Sequence, residues 1–133
     1  MATNLKYAAL LKNAQLDAIT TQLGASALLK IYDGTQPTNP DTALGSQNLI
    51  VSLTCNATFA PAASGGVLTL NSITNGTAGY SSTATWFSLQ TSGATRKIEG
   101  SVSTSSADLN LNNVSVNSGQ TVSVSSFTIS SGN

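Results

Sequence analysis

In Leu49-Ile50-Val51-Ser52-Leu53-Thr54-Cys55, apolar side chains recur at every second position: Leu49, Val51, Leu53 and Cys55 share one parity, and Ile50, Ser52 and Thr54 the other. A period of two puts alternate side chains on opposite faces of a strand, so this stretch predicts a strand with one buried face. The same period recurs on both sides of it. Ala27-Leu28-Leu29-Lys30-Ile31-Tyr32 reads as a strand closed by Asp33-Gly34, and residues 35–45, with Pro37 and Pro40, read as a loop. Further on, residues 67–73 and 83–89 resume the pattern, the latter with Trp86 and Phe87 on opposite faces. Ile98, Gly100 and Val102 form the next alternating set, followed by Leu109 with Leu111 and Val114 with Val116. Turn signals separate these runs: residues 61–66, Asn75-Gly76, Gly93 and Asn117-Ser118-Gly119.

The final run has a fault in phase. Val122 and Val124 share one parity, whereas Phe127 and Ile129 share the other. Burying all four requires one residue to be absorbed at Ser125-Ser126, which a β-bulge does. A bend there lets a single strand serve two sheets. Seven to eight short strands with polar turns predict a mostly β chain, an antiparallel β-sandwich or jelly roll, over residues 25–133. A β-solenoid would show a fixed repeat length, and none is present.

Residues 1–24 differ. From Asn4 to Leu23 there is neither Gly nor Pro, and Ala, Leu, Lys and Gln dominate. Leu16, Ile19 and Leu23 fall on one helical stripe, so one helix, or a loose arm followed by a helix, is expected over roughly 5–23, capped by Asn4 or, in a shorter form, by Asn13. Gly24 supplies the stop. This segment is either a helix covering an open face of the sandwich or an arm that reaches a neighbour. As an arm it would use Leu5, Tyr7, Leu10 and Leu11 as assembly contacts.

Charge is scarce: 8% of residues are ionic, five basic against five acidic, for a net charge of zero. Ordinary domains carry about 25%. A hydroxyl- and amide-coated surface without net charge has little colloidal repulsion and suits dense packing beside neighbours. Lys6, Lys12, Lys30, Arg96 and Lys97 are too few and scattered to neutralise phosphates, so nucleic acid is not expected as a partner, and Arg96-Lys97 reads as an exposed hairpin end. No apolar run reaches the roughly 18 residues that span a bilayer, and Ala8-Ala9-Leu10-Leu11 is too short for a secretory core, so no membrane partner and cytoplasmic assembly are expected.

The chain contains no His, which removes the commonest general base and metal ligand. The carboxylates are Asp17, Asp33, Asp41, Glu99 and Asp108. Two of them meeting in space would make a glycosidase pair. The plainer reading puts Asp17 on the outside of a helix, Asp33 and Asp41 in turns, Glu99 pointing outward and Asp108 at a strand start. Asp33-Gly34 with Asp41 lacks the spacing of a calcium loop. The expectation is no enzyme, no cofactor and no metal. Cys55, the one cysteine, is in phase with Leu53 and reads as a buried thiol. Trp86, Tyr80 and Phe87 could stack sugar rings, though aromatics in strands more often build cores.

Several segments carry a resemblance. Leu28-Leu29-Lys30-Ile31-Tyr32-Asp33-Gly34-Thr35-Gln36-Pro37, Thr58-Phe59-Ala60-Pro61-Ala62-Ala63-Ser64-Gly65-Gly66, Thr83-Ala84-Thr85-Trp86-Phe87 and Ile98-Glu99-Gly100-Ser101-Val102 resemble short virion structural proteins of tailed bacteriophages. The resemblance implies a capsid cement, or decoration, protein: a small β-sandwich on the capsid exterior that clamps neighbouring major capsid subunits and packs with copies of itself as a homo-oligomer. It carries over no catalytic motif. The alternatives are a tail or fibre component with a receptor- or glycan-binding role, and a carboxylate-based glycan hydrolase.

Overall fold

The computed structural model describes residues 4–131, and it is mostly strands with one helix. Helix α1 spans Ala9–Leu23, and eleven strands follow among the described residues. They are β1 (Leu28–Tyr32), β2 (Leu49–Thr54), β3 (Val67–Thr69), β4 (Gly76–Thr77), β5 (Ser82–Thr83), β6 (Trp86–Gln90), β7 (Arg96–Ser103), β8 (Leu109–Asn110), β9 (Ser115–Val116), β10 (Thr121–Val122) and β11 (Thr128–Ser130). Five of them form a curled mixed sheet in the order β2-β1-β6-β7-β8, antiparallel except for the β7–β8 pair. The rest make three two-stranded sheets, β10-β4, β11-β3 and β5-β9.

Register explains the core. Leu29 lies opposite Leu53 and Leu89, and Ile31 opposite Val51 and Phe87, so one sheet face is a continuous aliphatic and aromatic layer. Gly100, opposite Phe87, leaves room for that ring: a Cβ there would come within 2.6 Å of it. Against this layer pack Leu16 and Leu23 of α1 and Phe59, Leu68, Leu70, Phe127, Leu109 and Val116. Phe87 and Phe127 meet edge to face at 5.2 Å.

The opening stretch needs one correction. Leu49 is exposed, and Ile50 is buried in its place. Ile31 pairs with Val51 but Tyr32 with Leu49, so Ile50 is the extra residue of a bulge, and bulging reverses the parity before it. Cys55 is buried as expected.

At the phase fault the chain breaks instead of bulging. Thr121–Val122 pairs with Gly76–Thr77, residues 123–127 leave the ladder, and Thr128–Ser130 pairs with Val67–Thr69. Val122, Val124 and Phe127 all reach the core. One run of sequence does serve two sheets.

Of the two forms expected for the first segment, the structure has the arm followed by a helix: residues 4–8 lie in no element and the helix starts at Ala9. Ala8 is extended (φ −63°, ψ 151°) and makes no side-chain cap, so neither Asn4 nor Asn13 caps the helix. Asn13 instead accepts the Gly66 N–H at 2.9 Å. Most helical stability comes from packing one face, and the helix residues that reach the core, Leu16, Ile19 and Leu23, all lie well past Ala9. Gly24, at φ 72°, ends it with its N–H on the Thr20 carbonyl.

Candidate functional site

Among the described residues, the N-terminal segment carries the densest exposed apolar surface. Leu10 is 83% exposed, Leu5 54% and Leu11 48%, while Tyr7 is half-buried. The helix behind them is firmly seated. Leu16 and Leu23 enter the core, Asp17 Oδ1 accepts the Ala63 N–H at 2.7 Å, and Lys97 Nζ donates to Gln22 Oε1 at 3.3 Å. Asp17 therefore grips a neighbouring loop and does not point freely outward. Residues 4–8, by contrast, lie outside any helix or strand. The segment thus divides into a core helix and a short arm in no regular element.

A second feature sits on the sheet face opposite the aliphatic layer. Tyr32 and Trp86 stack at 4.4 Å, and the indole N–H donates to the Asp33 carbonyl at 2.9 Å. Beside them Ser88 and Gln90 are fully enclosed, with Gln90 Nε2 donating to Tyr32 Oη and Ser88 Oγ. Arg96 Nη1 meets Glu99 Oε2 at 2.5 Å, and Arg96 Nη2 donates to the Thr42 carbonyl. The Glu99 side chain is only 1% exposed, so Glu99 does not alternate outward, and Arg96 is no free hairpin end. In a regular strand, residues three apart face opposite ways. Here the register slips between Leu89 and Gln90, leaving Lys97 as the extra residue and bringing Arg96 and Glu99 to one side. Sequence alone carries no signal for that slip.

Thr42 belongs to a loop whose neck is tied at Asp33 and Asn48. Asp33 N donates to the Asn48 carbonyl, and the Asp33 carboxylate accepts the Asn48 N–H at 2.6 Å and the Ser82 hydroxyl at 2.8 Å. Ends held together in this way make an Ω-loop. The Asn48 N–H, with the Ser82 hydroxyl and the Asn48 amide, holds the Asp33 carboxyl below its ordinary range against a smaller opposing effect of burial. Arg96 clasps the middle of the loop to the sheet.

These positions decide what each candidate can do. Trp86 is sealed and Phe87 is in the core, so neither offers a stacking platform, whereas Tyr80 is 44% exposed. Asp17, Asp33, Glu99 and Asp108 each serve a different structural contact, Asp108 accepting both the N–H and the hydroxyl of Ser101. Asp41 lies in an exposed turn where its N–H bonds Asn39 Oδ1. Among the described residues no three His, Cys, Asp or Glu side chains gather as a metal site. No helix among them is long and apolar enough to cross a membrane. No family model, curated protein or solved structure matches this chain. The candidate surface therefore rests on its own geometry: an apolar arm and helix start on an ion-poor body.

Proposed function

We propose that this chain is a non-enzymatic virion structural protein, a capsid cement protein that stabilises a phage head by packing on major capsid subunits and on copies of itself. In that setting the curled sheet and the small sheets act as the two layers of a sandwich, assembled in the host cytoplasm and displayed on the capsid exterior. The observation that carries the reading is the exposure of Leu5, Leu10 and Leu11 on a body whose surface has few ions. Clustered exposed leucines cost solubility unless a partner covers them. The tail or fibre alternative drew on hydroxyl-rich strands and on Trp86 as a glycan platform; the enclosure of that ring removes Trp86 from its support.

Purified virions separated on a denaturing gel test the proposal. A cement protein is expected at a copy number close to that of the major capsid protein. A handful of copies per particle would remove the cement role.

A further inference from the structure

Two strand edges face an open groove. The groove, about 220 Å³, is lined by Phe87, Ile98, Phe127 and Ile129, with Glu99 and Asp108 on one side. Its first wall is β7. Val102 N donates toward β6, to the Thr85 carbonyl, whereas Ser101 N donates the other way, to Asp108 Oδ2. Main-chain groups alternate sides along a strand, so the N–H and C=O of Glu99 also point away from β6. On that side only Val102 and Ser103 are paired, with β8.

The second wall is β11. The Phe127 carbonyl accepts from Leu70 N, and Ser131 N donates to the Gly66 carbonyl, which turns odd-numbered positions toward β3. Thr128 and Ser130 therefore present their main-chain groups on the other edge, and both line the groove. Among the described residues no strand pairs with this edge of β11, nor with the edge of β7 before Val102. A second groove, about 210 Å³, shares Ile98 and continues along β7 toward Ile19 and Leu23 of α1.

A free edge flanked by apolar side chains is a template for an added strand, and the chain itself carries a segment with the right pattern. In Asn4-Leu5-Lys6-Tyr7-Ala8, Leu5 and Tyr7 share one parity and Lys6 the other. Ala8 is extended, Leu5 is exposed, and the segment occupies no element. Its one charge, Lys6, is opposite in sign to Asp108 at the groove, Glu99 being already paired with Arg96.

We propose that residues 4–8 of one copy enter the groove between β7 and β11 of a second copy as an added strand. Leu5 and Tyr7 turn in toward Ile98 and Ile129, and Lys6 turns out toward Asp108. The added strand joins the five-stranded sheet to the β11-β3 pair and covers both edges. This inference deepens the packing role proposed above and rests on it, naming the contact by which copies join.

Cross-linking tests it directly. In full-length chains carrying Cys55→Ala, one pool bears Lys6→Cys and another Thr128→Cys, two positions that the proposal puts on the same outward face. Oxidising the mixture should give a disulfide-linked dimer that neither pool gives alone. In parallel, Leu5→Asp with Tyr7→Asp in the native chain should weaken self-association in sedimentation velocity by about a hundredfold, since two apolar anchors are lost, with an unchanged circular dichroism spectrum. Three results would each overturn the inference: no mixed dimer, a chain bearing both cysteines that closes only on itself, or self-association indifferent to the arm substitutions. The third leaves the packing role standing on another surface, whereas a low virion copy number removes that role whatever the arm does.

Discussion

Ala94 sits at φ 68° in the turn between β6 and β7, where its N–H bonds the Thr91 carbonyl, while neighbouring Gly93 has no positive φ. The glycine freedom that this turn needs lies one residue later than the sequence suggests. Ala94→Gly should therefore raise stability by about 0.5–1 kcal/mol, read as a higher urea midpoint with an unchanged slope. Cys55 offers a second prediction. Burial raises its thiol from 9.0 to about 11. Between those values the unfolded chain sheds the proton and the folded chain keeps it, so stability falls as pH rises from 9 toward 11. Cys55→Ala should flatten that decline, and a thiol reagent at neutral pH should label the native protein only as it unfolds. The buried thiol was legible because Cys55 follows Leu53 in phase. The fates of Arg96 and Glu99 were not, because a one-residue register slip changes which side chains share a face.

Helix α1 shows the same division at the level of an element. The stripe of Leu16, Ile19 and Leu23 was legible and does pack on the core. The start of the helix was legible only as one of two forms, since helix formers continue back to Leu5 while the packing that would hold them does not. Leu16→Ala should cost about 2–5 kcal/mol in thermal or urea unfolding, as deletion of a buried aliphatic does. Leu10→Asp should change stability by less than about 0.5 kcal/mol, because Leu10 is 83% exposed. Leu49 records the limit of the strand reading. Its alternation with Val51 was sound as a pattern, yet one bulged residue, Ile50, sent it to the surface.

For the molecule as a whole, a mostly β chain with one helix followed from period and turns. The pairing of strands did not, because the partners of β3, β4 and β5 lie far along the chain and several strands are two residues long. With five basic and five acidic residues, two of them spent on the Arg96–Glu99 pair, the surface has little for salt to screen. The self-association proposed above, followed by sedimentation, should change by less than about threefold between 0.05 and 0.5 M salt. A steep loss would mean that ions, and not apolar contacts, hold the copies together. The distant pairings also bear on how the protein is made. As the nascent chain emerges, Val67–Thr69, Gly76–Thr77 and Ser82–Thr83 must wait for Thr128–Ser130, Thr121–Val122 and Ser115–Val116. In a cell making many copies at once, neighbouring polysomes would hold these unsatisfied edges side by side, and crowded synthesis would favour tangled aggregates over slow, solitary maturation.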